Sequence, residues 1–251
     1  MRFFLFIILQ LVCLSPLYAA NLAIIIDDIG YRQTDEAVLS LPPSITLSVL
    51  PHTPLGQRLA LAGHQKGHEI MLHIPMQALS GNELGPGGLT NDMSEEQVKS
   101  EITSAFNNIP FARGANNHMG SLLTQLTEPM QWVMQSLKIQ QAYFVDSVTT
   151  SYSKASTAAR DVGVPLLQRQ VFLDNDVHHQ ALEKQFKQII QFAKQEGNLV
   201  AIAHPYPETV AFLTANLPRL KANGIELVHT SELLAVDIAR IYPTSSNQVL
   251  R

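Results

Sequence analysis

Short apolar runs alternate with amphipathic stretches along most of the chain. The first run, Leu22 to Ile26, leads directly into Asp27 and Asp28. An unbroken apolar run of this length that ends at a turn signal is typical of a strand buried on both faces. Similar runs recur about every 25 residues with helical patterns between them, which predicts an α/β fold built on a parallel sheet.

The strands expected from these runs cover 22–26, 45–50, 69–72, 111–116, 142–145, 164–172, 199–203 and 225–228. Helices are predicted at 33–40, 55–66, 94–108, 129–139, 154–162, 178–196 and 208–222. Ser94 with Gln97 three residues later forms a capping box, and Gly197 is a helix stop. Residues 78–92 hold four glycines and no apolar period, which predicts a long functional loop. No linker or change in composition interrupts the pattern, so we expect one domain.

The amino-terminal segment has the pattern of an export signal. Arg2 gives a short positive region, an apolar core follows at 3–14, and small residues at 19 and 20 suit cleavage. The apolar core is too short for a comfortable membrane span, so we expect no stable membrane insertion after cleavage. An uncleaved anchor is the alternative. The expected organisation is a signal peptide at 1–20, a domain at 21–242 and a flexible tail at 243–251, in a periplasmic or secreted protein.

Composition narrows the chemistry. The formal net charge is −4 and no Lys/Arg cluster is present, which argues against a nucleic-acid partner. The single cysteine, Cys13, lies in the signal segment. The mature chain would therefore have no disulfide, thiol nucleophile or cysteine-rich zinc site.

Polar residues with catalytic or ligand potential follow several of the expected strands: Asp27, Asp28, His73, His118, Asp146, Asp174 and His204. In a barrel of parallel strands, such positions gather at one rim. One carboxylate with two imidazoles is a good ligand set for a divalent metal such as zinc. A second carboxylate could accept a proton from water, and a free histidine could protonate a leaving amine, so the set suits hydrolysis of an amide or ester.

Each of these residues also has a structural interpretation. One acid of the Asp27-Asp28 pair could cap a helix while the other is solvated, and Asp146 and Asp174 could be caps. His118 could fix a turn. His73 could be a half-buried histidine with its hydrogen bonds satisfied, and His204 could be a strand-end residue held by a carbonyl group.

Five short motifs together resemble the divergent polysaccharide deacetylases, a branch of the chitooligosaccharide deacetylase-like proteins. They are Asp-Asp-Ile-Gly at 27–30, His-Ile-Pro-Met at 73–76, Asn-Asn-His-Met-Gly-Ser at 116–121, Phe-Val-Asp-Ser at 144–147 and Ala-His-Pro at 203–205. The Gly-His-Glu-Ile run at 67–70 is also similar to the family's second motif. The motifs occur in the family's order and span most of the mature chain.

The resemblance implies a single-domain distorted (β/α) barrel. It also implies metal-dependent removal of N- or O-acetyl groups from a cell-envelope polysaccharide. By motif, Asp27 would be the base, Asp28 and His73 metal ligands, and His204 the acid. The family's second metal histidine falls near Gln77, and its Arg-x-Pro-Tyr segment is replaced by 116–120. We therefore expect His118 to supply the missing imidazole to a divalent metal, most simply zinc, and Asp146, Asn117 and Asp174 to bind substrate or orient other groups.

Two alternatives stay open at this stage. One is a non-catalytic glycan-binding protein on a degenerate deacetylase scaffold, which would gain support if His118 did not face Asp28 and His73. The other is a glycosidase with paired carboxylates. It is disfavoured because neighbouring strand residues point to opposite faces, so Asp27 and Asp28 cannot readily flank one bond.

Overall fold

A curled parallel sheet forms the centre of the computed structural model, which describes residues 20–234. Its strands are β1 (Ala20–Ile29), β2 (Thr46–Val49), β3 (Ile70–Met76), β4 (Ala112–Met119), β5 (Tyr143–Asp146), β6 (Leu166–Gln168), β7 (Val171–Phe172), β8 (Asn198–Ala203) and β9 (Ile225–Leu227). The order is β6-β5-β4-β3-β2-β1-β8-β7, and β9 pairs with the start of β1. All pairings are parallel, and the sheet curls into a distorted barrel that is open between β6 and β7, so the expected fold class is confirmed.

Helices cover the outer face of the sheet. They are α1 (Gly56–Gln65), α2 (Glu95–Asn108), α3 (Thr127–Ile139), α4 (Ala155–Val162), α5 (His179–Glu196), α6 (Pro207–Asn216) and α7 (Pro218–Ala222), with 3-10 helices at Gln33–Ser40 and Leu123–Gln125. The Ser94–Gln97 capping box forms, and α5 ends at Gly197 with φ of 80°. Within residues 20–234, no helix is both long and apolar enough to cross a membrane. The expected signal peptide, apart from Ala20, and the tail at 243–251 lie outside the described residues.

Two expected elements are each divided in the structure. The run at 164–172 was expected to be one strand, but it forms β6 beside β5 and then crosses the open seam to form β7 beside β8. At the crossing, the Arg169 N–H donates to the Asp146 carbonyl and the Gln170 N–H donates to the Val200 carbonyl. The helix expected at 208–222 breaks before Pro218, which begins α7 because proline has no N–H to continue the ladder of α6.

Two hydrophobic cores explain why the strands are apolar on both faces. On β1, Ile24 and Ile26 pack outward in the core shared with the helices, while Ala23 and Ile25 face the barrel interior. Met71 of β3 lies in the same interior core. Every second residue of a strand points to the same face. The interior-facing positions therefore continue to Asp27 on β1 and His73 on β3. On β4 they continue from Gly114 to Asn116 and His118. The interior thus changes from apolar to polar toward the carboxyl ends of the strands.

Candidate metal centre and active site

Asp28, His73 and His118 converge where β1, β3 and β4 end. Asp28 Oδ1 lies 2.7 Å from His118 Nδ1 and 3.0 Å from His73 Nε2, and the two ring nitrogens are 3.2 Å apart. In a tetrahedral site with bonds of about 2.1 Å, ligand atoms are about 3.4 Å apart. A small widening of this triangle would therefore fit a divalent cation, and the donor set of one carboxylate and two imidazoles suits zinc and its neighbours.

A backbone irregularity in β1 directs Asp28 into this cluster. Asp28 has φ of 59°, and the register of β1 against β2 shifts between Ile26 and Ile29. Asp28 Oδ1 therefore reaches Nε2 of His73, while Asp27 Oδ1 lies 3.7 Å from Nδ1 of the same ring. The expectation that the two acids point to opposite faces is wrong, because the left-handed residue breaks the strand alternation. Both acids line one cavity, so strand alternation does not disfavour a glycosidase.

Asn116 organises the buried side of the cluster, and the sequence analysis did not single it out. Its Oδ1 accepts hydrogen bonds from Ser48 Oγ and His73 Nδ1, both at 2.7 Å, and its Nδ2 donates to Asp27 Oδ1 at 2.8 Å. With Nδ1 of His73 donating to Asn116, the lone pair of Nε2 is left for a cation. Asn116 is the first residue of the motif at 116–121, but the only ligand expected from that motif was His118.

Replacing Asn116 with alanine is expected to weaken metal binding by about 10- to 100-fold, the usual effect of losing an outer partner of a ligating histidine. The substitution leaves His73 Nδ1 and Asp27 without this buried partner. Competition with a chromogenic chelator measures the dissociation constant. Ser48→Ala is the matched control, since it keeps both of those hydrogen bonds and should change affinity by less than about threefold. Equal affinity in Asn116→Ala and the wild type would contradict the role of Asn116.

The electrostatics of the cluster favour a cation. Burial by itself raises the pKa of Asp28, but hydrogen bonds from His118 and His73 outweigh it, so the pKa lies well below its ordinary value. For His73, burial lowers the pKa, and the charge of Asp27 and the hydrogen bond to Asp28 raise it above the usual range. The acids thus favour positive charge on the His73 ring, and a divalent ion would compete with a proton for the same position.

A third histidine, His204, is held beside the cluster by Asp174. Its Nδ1 lies 2.9 Å from Asp174 Oδ1, and its backbone N–H donates to Asp174 Oδ2 at 2.7 Å. Thr209 Oγ1 also donates to Asp174 Oδ2. The other ring nitrogen, Nε2, lies 3.9 Å from Asp28 Oδ2 and therefore faces the cluster. Burial lowers the pKa of His204, but the hydrogen bond and charge of Asp174, with the charges of Asp27 and Asp28, raise it to about 9.

Asp146 and Asn117 hold the turns that follow β5 and β4. Asp146 is buried and accepts a hydrogen bond from the Val148 N–H, while its Oδ2 has no partner among the described residues. Asn117 accepts from the Ser147 N–H and donates to the Met119 carbonyl. Asn117 also lines the cavity in front of the cluster, where its amide is engaged by backbone groups.

Arg169 is a further residue that the sequence analysis did not identify. Its guanidinium donates to the carbonyls of Ser147 and Val148 and lies 3.7 Å from the centre of the Phe172 ring. Burial lowers the pKa of Arg169, and the charges of Asp146 and Asp27 act in the opposite direction. The side chain thus braces the loop after β5 and brings a positive charge toward both acids. No motif marks it, because it lies at the unexpected crossing of the seam.

Two cavities open from the cluster and share Asp28, His118 and His204. One, the cavity in front of the cluster, has a volume of about 240 Å³ and is also lined by Asp27, His73 and Phe172. The other has a volume of about 260 Å³ and extends past Tyr31 and Tyr206. A ligand can therefore reach the cluster within a cleft that continues on both sides of it.

A curled parallel α/β barrel with one aspartate, two histidines and an aspartate-held histidine at its carboxyl rim defines a polysaccharide deacetylase-type protein. The sequence profile of the divergent polysaccharide deacetylases matches residues 24–234, and the chain belongs to this family. The resemblance inferred from the motifs is thereby confirmed.

Proteins similar to this chain in sequence or in fold occur in several bacteria. The uncharacterized protein YibQ of Escherichia coli K12 is 42% identical over 221 residues, which are 88% of this chain and 69% of YibQ. An uncharacterized Agrobacterium tumefaciens protein of known structure has a TM-score of 0.82 at 23% identity, covering 87% of this chain and 91% of that one. A CE4 family pseudoenzyme from Bacillus anthracis has a TM-score of 0.51 at 11% identity, covering 86% and 65%. At these identities the two structures show a shared fold.

Proposed function

We propose that this protein is a metal-dependent hydrolase that removes N- or O-acetyl groups from a cell-envelope polysaccharide. One observation carries the proposal: the Asp28–His73–His118 triangle lies in a cavity that also contains Asp27 and His204. A binding site has no need of a candidate ligand set, a second acid and a cationic histidine together. Family membership supports a carbohydrate polymer as the substrate. The export-signal pattern supports a periplasmic location.

In this proposal Asp28, His73 and His118 hold one divalent metal, with zinc the best fit to the donor set. When bound, such an ion supplies Lewis acidity that polarises the acyl carbonyl and makes water a stronger acid. The three residues leave the cavity side of the triangle open to substrate. His73 needs its neutral form for this role, and its Nδ1 donating to Asn116 Oδ1 is the tautomer that provides it.

Asp27 is assigned as the general base. It is buried beside His73, and Asn116 Nδ2 donates to one of its carboxylate oxygens. That hydrogen bond orients the carboxylate, and a carboxylate oxygen is able to accept a proton. Asp27 would take a proton from the attacking water as the water oxygen adds to the acetyl carbonyl carbon.

His204 is assigned as the general acid. With a pKa of about 9, its ring is cationic at neutral pH and carries a proton on the nitrogen that faces the cluster. Donating this proton to the leaving nitrogen or oxygen of the sugar lets the carbon–heteroatom bond break without expelling an anion. The Asp174 carboxylate fixes the ring orientation and stabilises the cationic form.

Replacing Asp174 with asparagine is expected to lower the alkaline limit of activity. His204 must be protonated to act, so the rate falls as pH rises through its pKa of about 9. Without the aspartate charge that pKa moves down toward the ordinary value of 6.5, and the variant should lose about tenfold or more of its rate near pH ~8. Rates of acetate release across pH measure the shift. An unchanged alkaline limb would contradict the pairing.

The direct test of the enzymatic proposal is acetate release. Purified mature protein with zinc should liberate acetate from acetylated envelope glycans or their oligosaccharides, and prior chelation should stop the reaction. The CE4 family pseudoenzyme similar in fold indicates that this scaffold alone does not guarantee activity. Binding without acetate release from any acetylated glycan would favour the glycan-binding alternative instead.

A further inference from the structure

The cavity that extends past Tyr31 is lined by aromatic and charged side chains that hydrolysis of an acetyl group does not require. It runs from the shared residues Asp28, His118 and His204 to Arg32 and Tyr206, and we call it the Arg32 arm. The Tyr206 ring centre lies 5.8 Å from that of His204, so this arm begins beside the proposed acid. Its volume of about 260 Å³ is comparable to that of the cavity in front of the cluster, about 240 Å³, and leaves room for a neighbouring sugar unit.

The loop that carries Tyr31 and Arg32 is held rigidly. Oδ2 of buried Asp35 accepts hydrogen bonds from the backbone N–H groups of Gly30, Tyr31 and Arg32 at 2.9, 3.1 and 3.0 Å. Gly30 has φ of 142°, and a Cβ there would lie 2.1 Å from Thr53 Oγ1, so the loop fits tightly against its neighbour. A rigid loop presents its side chains with little ordering cost when a ligand binds.

The side chains on this rigid loop are exposed and face the arm. Tyr31 is 50% exposed and, with Tyr206, provides flat aromatic surface suited to packing against sugar rings. Arg32 is exposed and forms no ion pair within the described range 20–234, whereas Arg58, Arg160 and Arg219 each pair with an acid. An unpaired guanidinium in a cleft is a good partner for a carboxylate, which it can bind in a bidentate manner.

Of the residues that line the two cavities, the one arginine, Arg32, lies on one side of the cleft, and neither lining includes a lysine. The cavity in front of the cluster has no lysine or arginine in its lining; beyond the acids and histidines it is formed by neutral residues such as Asn117, Thr149 and Asn175. The Arg32 arm also contains Asp35, but three N–H donors share one oxygen of this carboxyl group and the other oxygen is buried. The accessible charge of this arm outside the cluster is therefore the positive charge of Arg32.

We propose that the Arg32 arm binds a sugar unit that carries a carboxylate, next to the sugar that is deacetylated. The preferred substrate is then an acidic acetylated polysaccharide, with Arg32 pairing with the carboxylate and Tyr31 and Tyr206 packing on the ring. This inference rests on the proposed function, which supplies the acetylated polysaccharide as substrate. It goes further by specifying that the sugar next to the deacetylated one carries a negative charge.

Calorimetric titration with three tetrasaccharides tests the proposal. One is the neutral N-acetylglucosamine tetramer; in the others, N-acetylglucosamine alternates with glucuronic acid or with N-acetylmuramic acid. The wild type should bind at least one acidic tetramer about fivefold more tightly than the neutral one, the size of a good exposed ion pair. Raising the salt concentration should reduce the ratio of the affinities for the acidic and neutral tetramers. Which acidic tetramer binds better identifies whether the carboxylate belongs to a uronic acid or to a lactyl ether.

Three variants sharpen the test. Arg32→Gln should abolish the preference for the acidic tetramers, and Arg32→Lys should retain part of it because the charge remains. Arg160→Gln is the matched control, since Arg160 is an exposed arginine on α4 that lines neither cavity. It should keep the full preference. Equal affinity of the wild type for all three tetramers, or a preference retained in Arg32→Gln, would overturn the proposal.

Acetate release is measured separately, so the two proposals can fail independently. Acetate release without an Arg32-dependent preference would leave the hydrolase standing and overturn the carboxylate subsite. An Arg32-dependent preference without acetate release would support the subsite on a glycan-binding protein and overturn the hydrolase.

Discussion

His73→Ala is expected to remove tight divalent-metal binding from the protein. His73 is fully buried, and its Nε2 lies within 3.2 Å of both of the other candidate ligand atoms. Loss of an outer partner alone costs about 10- to 100-fold in metal affinity, so loss of a ligand should cost more than about 100-fold. The alanine also leaves Asp27 and Asp28 facing each other's charge across the space that the ring had filled.

Elemental analysis after dialysis measures this effect. The wild type should retain about one metal ion per chain, and His73→Ala should retain almost none. His64→Ala is the matched control, because His64 stacks on Phe111 with ring centres 4.4 Å apart and lies outside the cluster. A thermal unfolding curve for each variant shows whether the fold survives. A folded His73→Ala protein with its full metal content would rule out the proposed centre.

Asp27→Asn is expected to separate metal binding from catalysis. Asparagine has nearly the same shape and can still accept the hydrogen bond from Asn116 Nδ2, but it cannot take a proton from water. We therefore expect metal content to stay near that of the wild type while kcat for acetate release falls by about 10³-fold, within the range of general base catalysis. Asp161→Asn, an exposed acid on α4 paired with Arg160, is the control that should change neither quantity.

The two readouts distinguish three roles for Asp27. Loss of the metal together with activity would make Asp27 a ligand rather than a base. Unchanged activity would place the base elsewhere in the cavity. Only retained metal with lost turnover agrees with the assignment.

The fold could be predicted because its signals are local and repeated. The apolar run of β1 marks a strand with two buried faces, and the structure places its residues alternately in the two cores. Capping and stop residues such as Ser94 and Gly197 set helix ends that the structure reproduces. The crossing at Arg169 and Gln170 was not predictable in this way, because it depends on hydrogen bonds to strands on both sides of the seam.

The candidate site was predictable in its residue types more than in its geometry. The motifs named Asp28, His73 and His118, and the structure brings these three together. The hydrophobic pattern does not reveal the left-handed backbone conformation of Asp28, so the two acids were expected on opposite faces. Asn116 was overlooked because its importance lies in contacts with Ser48, His73 and Asp27, which are distant in sequence.

Glu69 shows that a motif can also mark structure rather than chemistry. It lies in the Gly-His-Glu-Ile run at 67–70, yet it is buried just before β3, at the opposite end of the strand from the metal cluster. There its carboxylate accepts hydrogen bonds from the Tyr143 hydroxyl and from the N–H and hydroxyl of Ser231. Burial and the charge of Glu69 raise the pKa of Tyr143 well above its usual value. This network joins the chain that follows β9 to the amino-terminal end of the barrel.

Anomalous diffraction from crystals grown with zinc would locate the metal. We expect one strong anomalous peak at about 2.1 Å from each of Asp28 Oδ1, His73 Nε2 and His118 Nδ1. A zinc-loaded crystal with no peak among these three atoms, or with its metal held by other residues, would contradict the proposed metal centre.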